Sequence, residues 1–373
     1  MMLPAPAAAK RTRRNTKKQC DMEITALRSG YTTGTCAAAA VLAAAWYTFA
    51  GRERTRCRVE LPGGGLAELN PWREKAGEDG RVWFSVRKDA GDDPDVTDKV
   101  LVQGSVESLE GRHPGVRGPG REEPLWYQSE EYPFLFLTGG PGIGVVTRPG
   151  LACPPNSHAI NPVPRDMIFK AVGRLYLELG VRGDYLIRLR IPGGEVLAER
   201  TFNPRLGILG GLSVLGTSGI VRPMSEEALT ETIRLEIHMR AAAGEDSLIL
   251  VPGNYGERFL KEKLGISPEW AVHCSNFVAA AIETAVREDV RHILFTGHLG
   301  KLVKVAGGAE NTHSRYGDRR MEILAESLER VAQRQGAHRG LTGHTDFRDA
   351  RRRLLACNTT DAAIEYLDGQ GIR

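Results

Sequence analysis

The chain has 373 residues, enough for two domains with separate cores, and its 41% hydrophobic and 26% charged content is that of an ordinary globular enzyme rather than a fibrous or disordered protein. The net charge of +4 is concentrated in Lys10, Arg11, Arg13, Arg14, Lys17 and Lys18, which leaves the remaining chain near neutral and argues against a general nucleic-acid binder. Six cysteines with no C-x-x-C pair argue against a zinc site or a disulfide framework and fit a reducing cytoplasm.

Residues 1–20, rich in Pro, Ala and basic side chains, lack apolar periodicity and read as a disordered, dispensable tail. The N-terminus has no apolar leader after its charges. Leu27-Arg28-Ser29-Gly30-Tyr31-Thr32-Thr33-Gly34-Thr35-Cys36 then leads into an alanine run. Thr32, Thr33 and Thr35 form an N-cap cluster opening a helix whose N-terminus suits an anion. Cys36, in the first turn, is either a thiol of lowered pKa or a small packing residue. The apolar stretch Ala37–Trp46 is too short to span a bilayer, so no membrane segment is expected.

From Thr55 to Ser108 the pattern alternates as strands. Asp89-Ala90-Gly91-Asp92-Asp93-Pro94-Asp95-Val96-Thr97 suggests either a divalent cation or an acidic turn capping backbone groups, and its spacing is not that of an EF-hand. Glu110–Gln128 reads as a surface loop. Phe134–Thr147 encloses the glycine loop Gly139-Gly140-Pro141-Gly142-Ile143-Gly144, which resembles a phosphate cradle without its lysine. After a proline-punctuated connector over 149–164, Ile168, Val172, Leu175 and Leu179 mark one face of a helix. Tyr185–Ile191 and Val196–Phe202 flank Pro192-Gly193-Gly194-Glu195 as a hairpin.

After Asn203-Pro204 strands and helices alternate, which implies a parallel sheet. Strands are expected in Leu206–Leu215, Leu248–Val251 and Val290–Phe295, with helices after Ser225, after Glu257 and after Gly300. Glycine at each strand end (Gly216-Thr217-Ser218, Gly253-Asn254-Tyr255, Gly297-His298-Leu299-Gly300) places ligand-binding loops along one crevice. No G-x-G-x-x-G occurs there, so NAD or FAD in the usual mode is not supported. Asn311-Thr312-His313-Ser314-Arg315 adds a dense polar loop. The predicted fold is thus a two-domain α/β protein. Residues 21–202 form an α+β domain with hairpins and an alanine-rich helix, and residues 203–373 an α/β domain with a mostly parallel sheet.

Several motifs, in order, resemble one family: Leu27–Ala38, Gly91–Thr97, Pro141–Gly144, Ile160-Asn161-Pro162-Val163-Pro164, Leu215–Val221, Pro252-Gly253-Asn254-Tyr255-Gly256 and Thr312–Arg315. It is the cobalt-precorrin-5B C1-methyltransferase family of the anaerobic cobalamin pathway. Gly308-Ala309-Glu310, Gly317, Arg319, the basic tail and the loop around Trp126-Tyr127 depart from the family pattern. The resemblance implies S-adenosylmethionine as methyl donor and a corrinoid substrate that carries the only cobalt, with no protein metal site. It also implies a cytoplasmic enzyme that hands its product to other cobalamin-pathway enzymes, with no nucleic-acid or membrane partner. The donor is expected at Gly216, Thr217, Ser218, Gly253, Asn254, Tyr255, Gly297, His298 and Gly300. The substrate's acetate and propionate arms are expected at Arg28, Thr32, Thr33, Thr35, Arg222, Lys301, Lys304 and Arg315, with Arg319 as a further cation. Lys301, at the helix start after Gly300, is expected to anchor a carboxylate of the tetrapyrrole or of the donor. His313 and Ser314 are the candidates for a catalytic role.

Two other classes stay open. A phosphotransferase would use Gly139–Gly144 with Asp92, Asp93 and Asp95 to hold Mg-ATP. A nucleic-acid-binding protein would be recruited by Lys10–Lys18 and bind with steep salt dependence.

Overall fold

A computed structural model describes residues 27–75, 80–109, 124–334 and 347–372. The basic tail and most of the Glu110–Gln128 loop therefore lie outside the described residues.

The protein is a mixed α/β structure. Its first half is built on helix α1, Thr33–Ala50, which starts as the threonines dictate: Thr32 is the N-cap, its side chain accepting from the Thr35 N–H. The helix stops at Gly51, whose left-handed conformation (φ 63°) returns its N–H to Tyr47 O. With 18 residues, α1 is long and apolar enough to cross a bilayer, more so than the Ala37–Trp46 stretch alone suggested. Here that apolar surface is spent on the core, because Cys36 to Val41 and Ala43 to Ala45 are buried.

One side of α1 packs on a six-stranded sheet ordered Trp72–Arg73, Phe84–Arg87, Leu101–Ser108, Tyr185–Arg190, Leu135–Gly139, Tyr127–Gln128. Only the Tyr185–Arg190 and Leu135–Gly139 pair is parallel. Alanine lets helix and sheet approach so closely that a Cβ on Gly104 would lie 2.8 Å from Val41 N. The other side of α1 meets helix α2, Pro162–Glu178, which opens with proline at N1. Ile168, Val172 and Leu175 form its buried face as the period predicts. Leu179 falls at the C-cap and is exposed, so the buried face ends one turn earlier than expected.

The predicted hairpin around Pro192–Glu195 is not formed. Gly193 turns left-handed, and residues Gly194–Ala198 make a short helix, α3. The chain folds back on the glycine loop instead, since Ile191 N donates to Pro141 O and a Cβ on Gly194 would meet Gly142 O at 2.3 Å. Nor does Leu206–Leu215 join the later parallel sheet. Ile208–Leu209 pairs antiparallel with Val145–Val146, and Gly211–Leu212 pairs parallel with Gly142–Ile143. A Cβ on Gly211 would strike the Gly142 backbone at 2.5 Å, and one on Gly142 would strike the Ile191 carbonyl. The glycine loop is thus a packing junction between chain segments.

The later sheet is wholly parallel, in the order Ala271–His273, Ser247–Val251, His292–Phe295. Its edge strand Ala271–His273 is one the sequence reading passed over. Helices α4 (Glu226–Ala242) and α6 (Val278–Arg287) pack on it through Ile233, Ile237, Val278, Ala281 and Ala285. Ser225 caps α4 as expected. Helix α5, Asn254–Phe259, continues into a wide turn over Leu260–Leu264, and α7 spans Leu299–Ala306. Helices α8 (Arg320–Arg334), α9 (Phe347–Leu355) and α10 (Thr360–Gly369) share a small core of Leu328, Ala350, Leu354 and Ala363.

Candidate functional site

The structure joins the threonine cluster to the Gly216 loop. Thr33 Oγ1 donates to Leu215 O at 3.2 Å and accepts from Leu215 N at 3.0 Å. Thr35 Oγ1 donates to Gly219 O at 2.7 Å, while Thr32 N and Gly34 N donate to Gly219 O and Leu215 O. A Cβ on Gly216 would sit 2.3 Å from Thr32 Oγ1, so only glycine fits this crossing. Thr32, Thr33 and Thr35 are therefore buried and occupied by protein carbonyls, not open to an anion. What reaches the surface is the loop they hold: Thr217 and Ser218 are exposed.

The acidic turn is built into the same rim. Arg28 N donates to Asp92 at 2.6 Å, and the Arg28 guanidinium grips Asp89 through two bonds of 2.7 and 2.9 Å. That grip, with a bond from Gly91 N, holds the Asp89 carboxyl well below the usual carboxylate range. Asp93 accepts from Met224 N at 2.9 Å, and Asp95 pairs with the buried Lys88 while capping Thr97. The carboxylates cap backbone and balance cations, which is the second of the two readings of this turn. They and the glycines of 139–144 are engaged within the protein, and this gives the phosphotransferase alternative no support.

From the rim, short strand Ile220–Val221, paired with Gly30–Tyr31, leads past exposed Arg222 into α4. Glu226, in the first turn of α4, forms an ion pair with Arg315 and accepts from Tyr316 Oη at 3.0 Å. The polar loop 311–317 thereby meets the Gly216 region. Within that loop His313 Nδ1 accepts from Arg315 N, acting as a turn cap, and Ser314 is exposed. Among the described residues, neither side chain bonds a second titratable group that would activate it. Arg319 pairs with Glu326 away from this rim.

The two lysines expected to meet carboxylates are engaged by backbone carbonyls. Lys304 is buried and donates to Thr312 O and Gly317 O, which fixes the polar loop. Lys301 donates to Pro252 O at 2.7 Å and Ser275 O at 3.3 Å. It ties together the three loops that follow the three parallel strands. Burial pulls its pKa below the ordinary lysine value. It does not face open solvent. Pro252 O and Ser275 O lie in the loops that follow strands Ser247–Val251 and Ala271–His273, within reach of the first turn of α7.

Gly297 and Gly256 make the loops compact, since a Cβ on Gly297 would meet Pro252 Cγ at 2.7 Å and one on Gly256 would meet Thr296 O at 2.3 Å. His298 Nδ1 accepts from Gly300 N as the α7 cap, and its ring meets Tyr255 edge-on at 5.2 Å. Asn254, Tyr255 and the half-buried Gly253 complete this exposed edge. The structure thus gathers Gly253, Asn254, Tyr255, Gly297, His298, Gly300 and Lys301 at one sheet edge. It gathers Arg28, Gly216, Thr217, Ser218 and Arg222 at the α1 rim, and the loop bearing Arg315 links the two. Sequence reasoning missed Met224, Glu226 and Tyr316, which make that link. No motif marks them, because the contacts span up to 131 residues.

A family model for CbiD matches residues 20–223, which include the whole α1 rim. The chain belongs to the CbiD family. A Thermoanaerobacter sp. (strain X514) protein named cobalt-precorrin-5B C(1)-methyltransferase is 39% identical over 93% of this chain and 84% of its own. Proteins of the same name from Moorella thermoacetica (41% identical, 92% and 83% covered) and Desulfitobacterium hafniense (41%, 80% and 70%) are similar to it as well. Among solved structures, a cobalamin biosynthesis protein (cbiD) from Archaeoglobus fulgidus is 21% identical with a TM-score of 0.39, covering 83% of this CbiD chain and 85% of that one.

Proposed function

We propose that this CbiD chain is a cobalt-precorrin-5B C1-methyltransferase of cobalamin biosynthesis, with S-adenosylmethionine as donor. The observation that carries the reading is the near full-length relationship to proteins of that name, at about 40% identity. The reaction is an in-line displacement: an electron-rich ring carbon takes the methyl group, the S–CH3 bond breaks, and S-adenosylhomocysteine leaves. No side-chain nucleophile is needed. Orientation and exclusion of water supply the rate, which fits a site whose polar groups are mostly engaged with backbone. Cobalt enters as part of the substrate.

The arms of the macrocycle fall to Arg28, Arg222 and Arg315. The donor falls to the strand-end loops, where Lys301 keeps the third of its ammonium hydrogens for a carboxylate. His313 and Ser314, exposed on the linking loop, orient ligand rather than activate it. Two domains are part of this reading, and the pairing of 208–221 with the first half supports a junction after Val221 rather than at Asn203. The cysteines among the described residues are free thiols, in keeping with a reducing cytoplasm. Calorimetry with S-adenosylmethionine, S-adenosylhomocysteine and ATP tests the reading. The first two bind and ATP does not; ATP binding without the sulfonium ligands would overturn it.

A further inference from the structure

Five non-glycine residues among those described have positive φ: Lys99, Asn156, Met224, Ser275 and Asp289. Asn and Asp tolerate this region because their short polar side chains bond locally, whereas a long side chain there is a true outlier. The three remaining residues are not scattered. Lys99 pairs with Asp89, which grips Arg28; Ser275 offers its carbonyl to Lys301; Met224 gives its N–H to Asp93. Lys99 and Met224 contact the acidic turn of the α1 rim and Ser275 contacts Lys301 at the sheet edge, and strain held in place by the surrounding structure concentrates at ligand sites.

Met224 is the outlier among them. Its φ is 56°, its side chain is 67% exposed, and the Asp93 carboxylate, 131 residues away, fixes its backbone at 2.9 Å. Glycine would adopt this conformation without cost, yet a mostly exposed methionine stands here. Two residues before it is Arg222, exposed; two residues after it, Glu226 holds Arg315 and the exposed ring of Tyr316. An exposed apolar, polarisable side chain on the segment that carries Arg222 and leads to the Glu226–Arg315 pair complements a flat macrocycle with an apolar face and an anionic edge.

We propose that Met224, held in its strained conformation by Asp93, is the apolar ledge on which the corrinoid ring rests, and so a specificity-determining residue of the methyl transfer. This rests on the corrinoid reading above. Asp93 is a positioning residue that acts through Met224.

The test uses Met224→Gly and Met224→Leu in the full chain, with cobalt-precorrin-5B binding followed by absorbance and S-adenosylmethionine binding by calorimetry. Met224→Gly relieves the backbone, so its melting temperature is equal to or above that of the parent. Loss of the proposed methionine contact with the ring raises the corrinoid Kd and KM roughly ten- to hundredfold, with a smaller change in kcat and none in the affinity for S-adenosylmethionine. Met224→Leu restores most of the corrinoid affinity. A corrinoid Kd within twofold of the parent in Met224→Gly, or equal loss in both variants, overturns the proposal. Failure of the parent protein to bind the corrinoid at all would overturn the functional reading instead, a result separable from any effect of the substitution.

Discussion

Single side chains in this protein show how far burial overrides local expectation. Cys36 occupies the first turn of α1, a place that lowers a thiol pKa, yet burial pushes it up to about 12, with Cys274 pushed to the same value. It is the small packing residue of the two readings. His158 is the converse case. Burial lowers its pKa from 6.5 to about 4, with Thr138 Oγ1 3.3 Å from Nδ1. Between these two pH values the unfolded chain binds more protons than the folded one. Stability is therefore full above about 6.5 and falls as pH drops toward 4, by on the order of 3 kcal/mol from this group. Urea titrations between pH 7 and 4 should show that slope, and His158→Gln should flatten it; an unchanged slope would assign the acid sensitivity elsewhere. Lys301 makes a stability contribution too. Lys301→Met keeps the stem but leaves Pro252 O and Ser275 O without their donor, at a cost of about 1–3 kcal/mol. An unchanged unfolding midpoint would show the bonds to be dispensable.

Among the elements, α1 fits closely against its sheet. Gly104→Ala would drive a methyl against Val41, Cγ2 at 2.7 Å and backbone N at 2.8 Å, and push the helix off the sheet. Overpacking of this kind costs about 1–3 kcal/mol, which equilibrium unfolding would register; a stability loss under about 0.5 kcal/mol would mean that helix and sheet can slide apart freely. The helix itself was legible in the sequence, because Thr32, the alanine run and Gly51 act on their immediate neighbours. So were α4 with its Ser225 cap and the strands Ser247–Val251 and His292–Phe295. What local reasoning could not reach were elements decided across the chain. Val196–Phe202 has strand-like residues, but contact of Gly194 with Gly142 turns the chain into α3. Ala271–His273 is too short to show a period. Of the candidate site, the loops were legible from glycine at strand ends, whereas the engagement of Lys301 and Lys304 by carbonyls was not. Sequence shows a cation; only the fold shows which acceptors face it.

At the scale of the whole molecule, the N-terminus of α1 is sealed by residues some 180 positions downstream, through the bonds of Thr33 and Thr35 to Leu215 and Gly219. During synthesis, at roughly 5–20 residues per second, α1 therefore waits on the order of 10–40 s for the strand that closes it. Until residue 221 has emerged, the most apolar helix in the chain has an unfinished end, and a nascent chain in this interval is a natural client for chaperones. Stalled translation products release the prediction. A nascent chain arrested with 202 residues exposed should be digested readily around Thr33 by a protease, and one arrested with about 230 exposed should resist. Equal protection at both lengths would mean that the core closes without its distant seal.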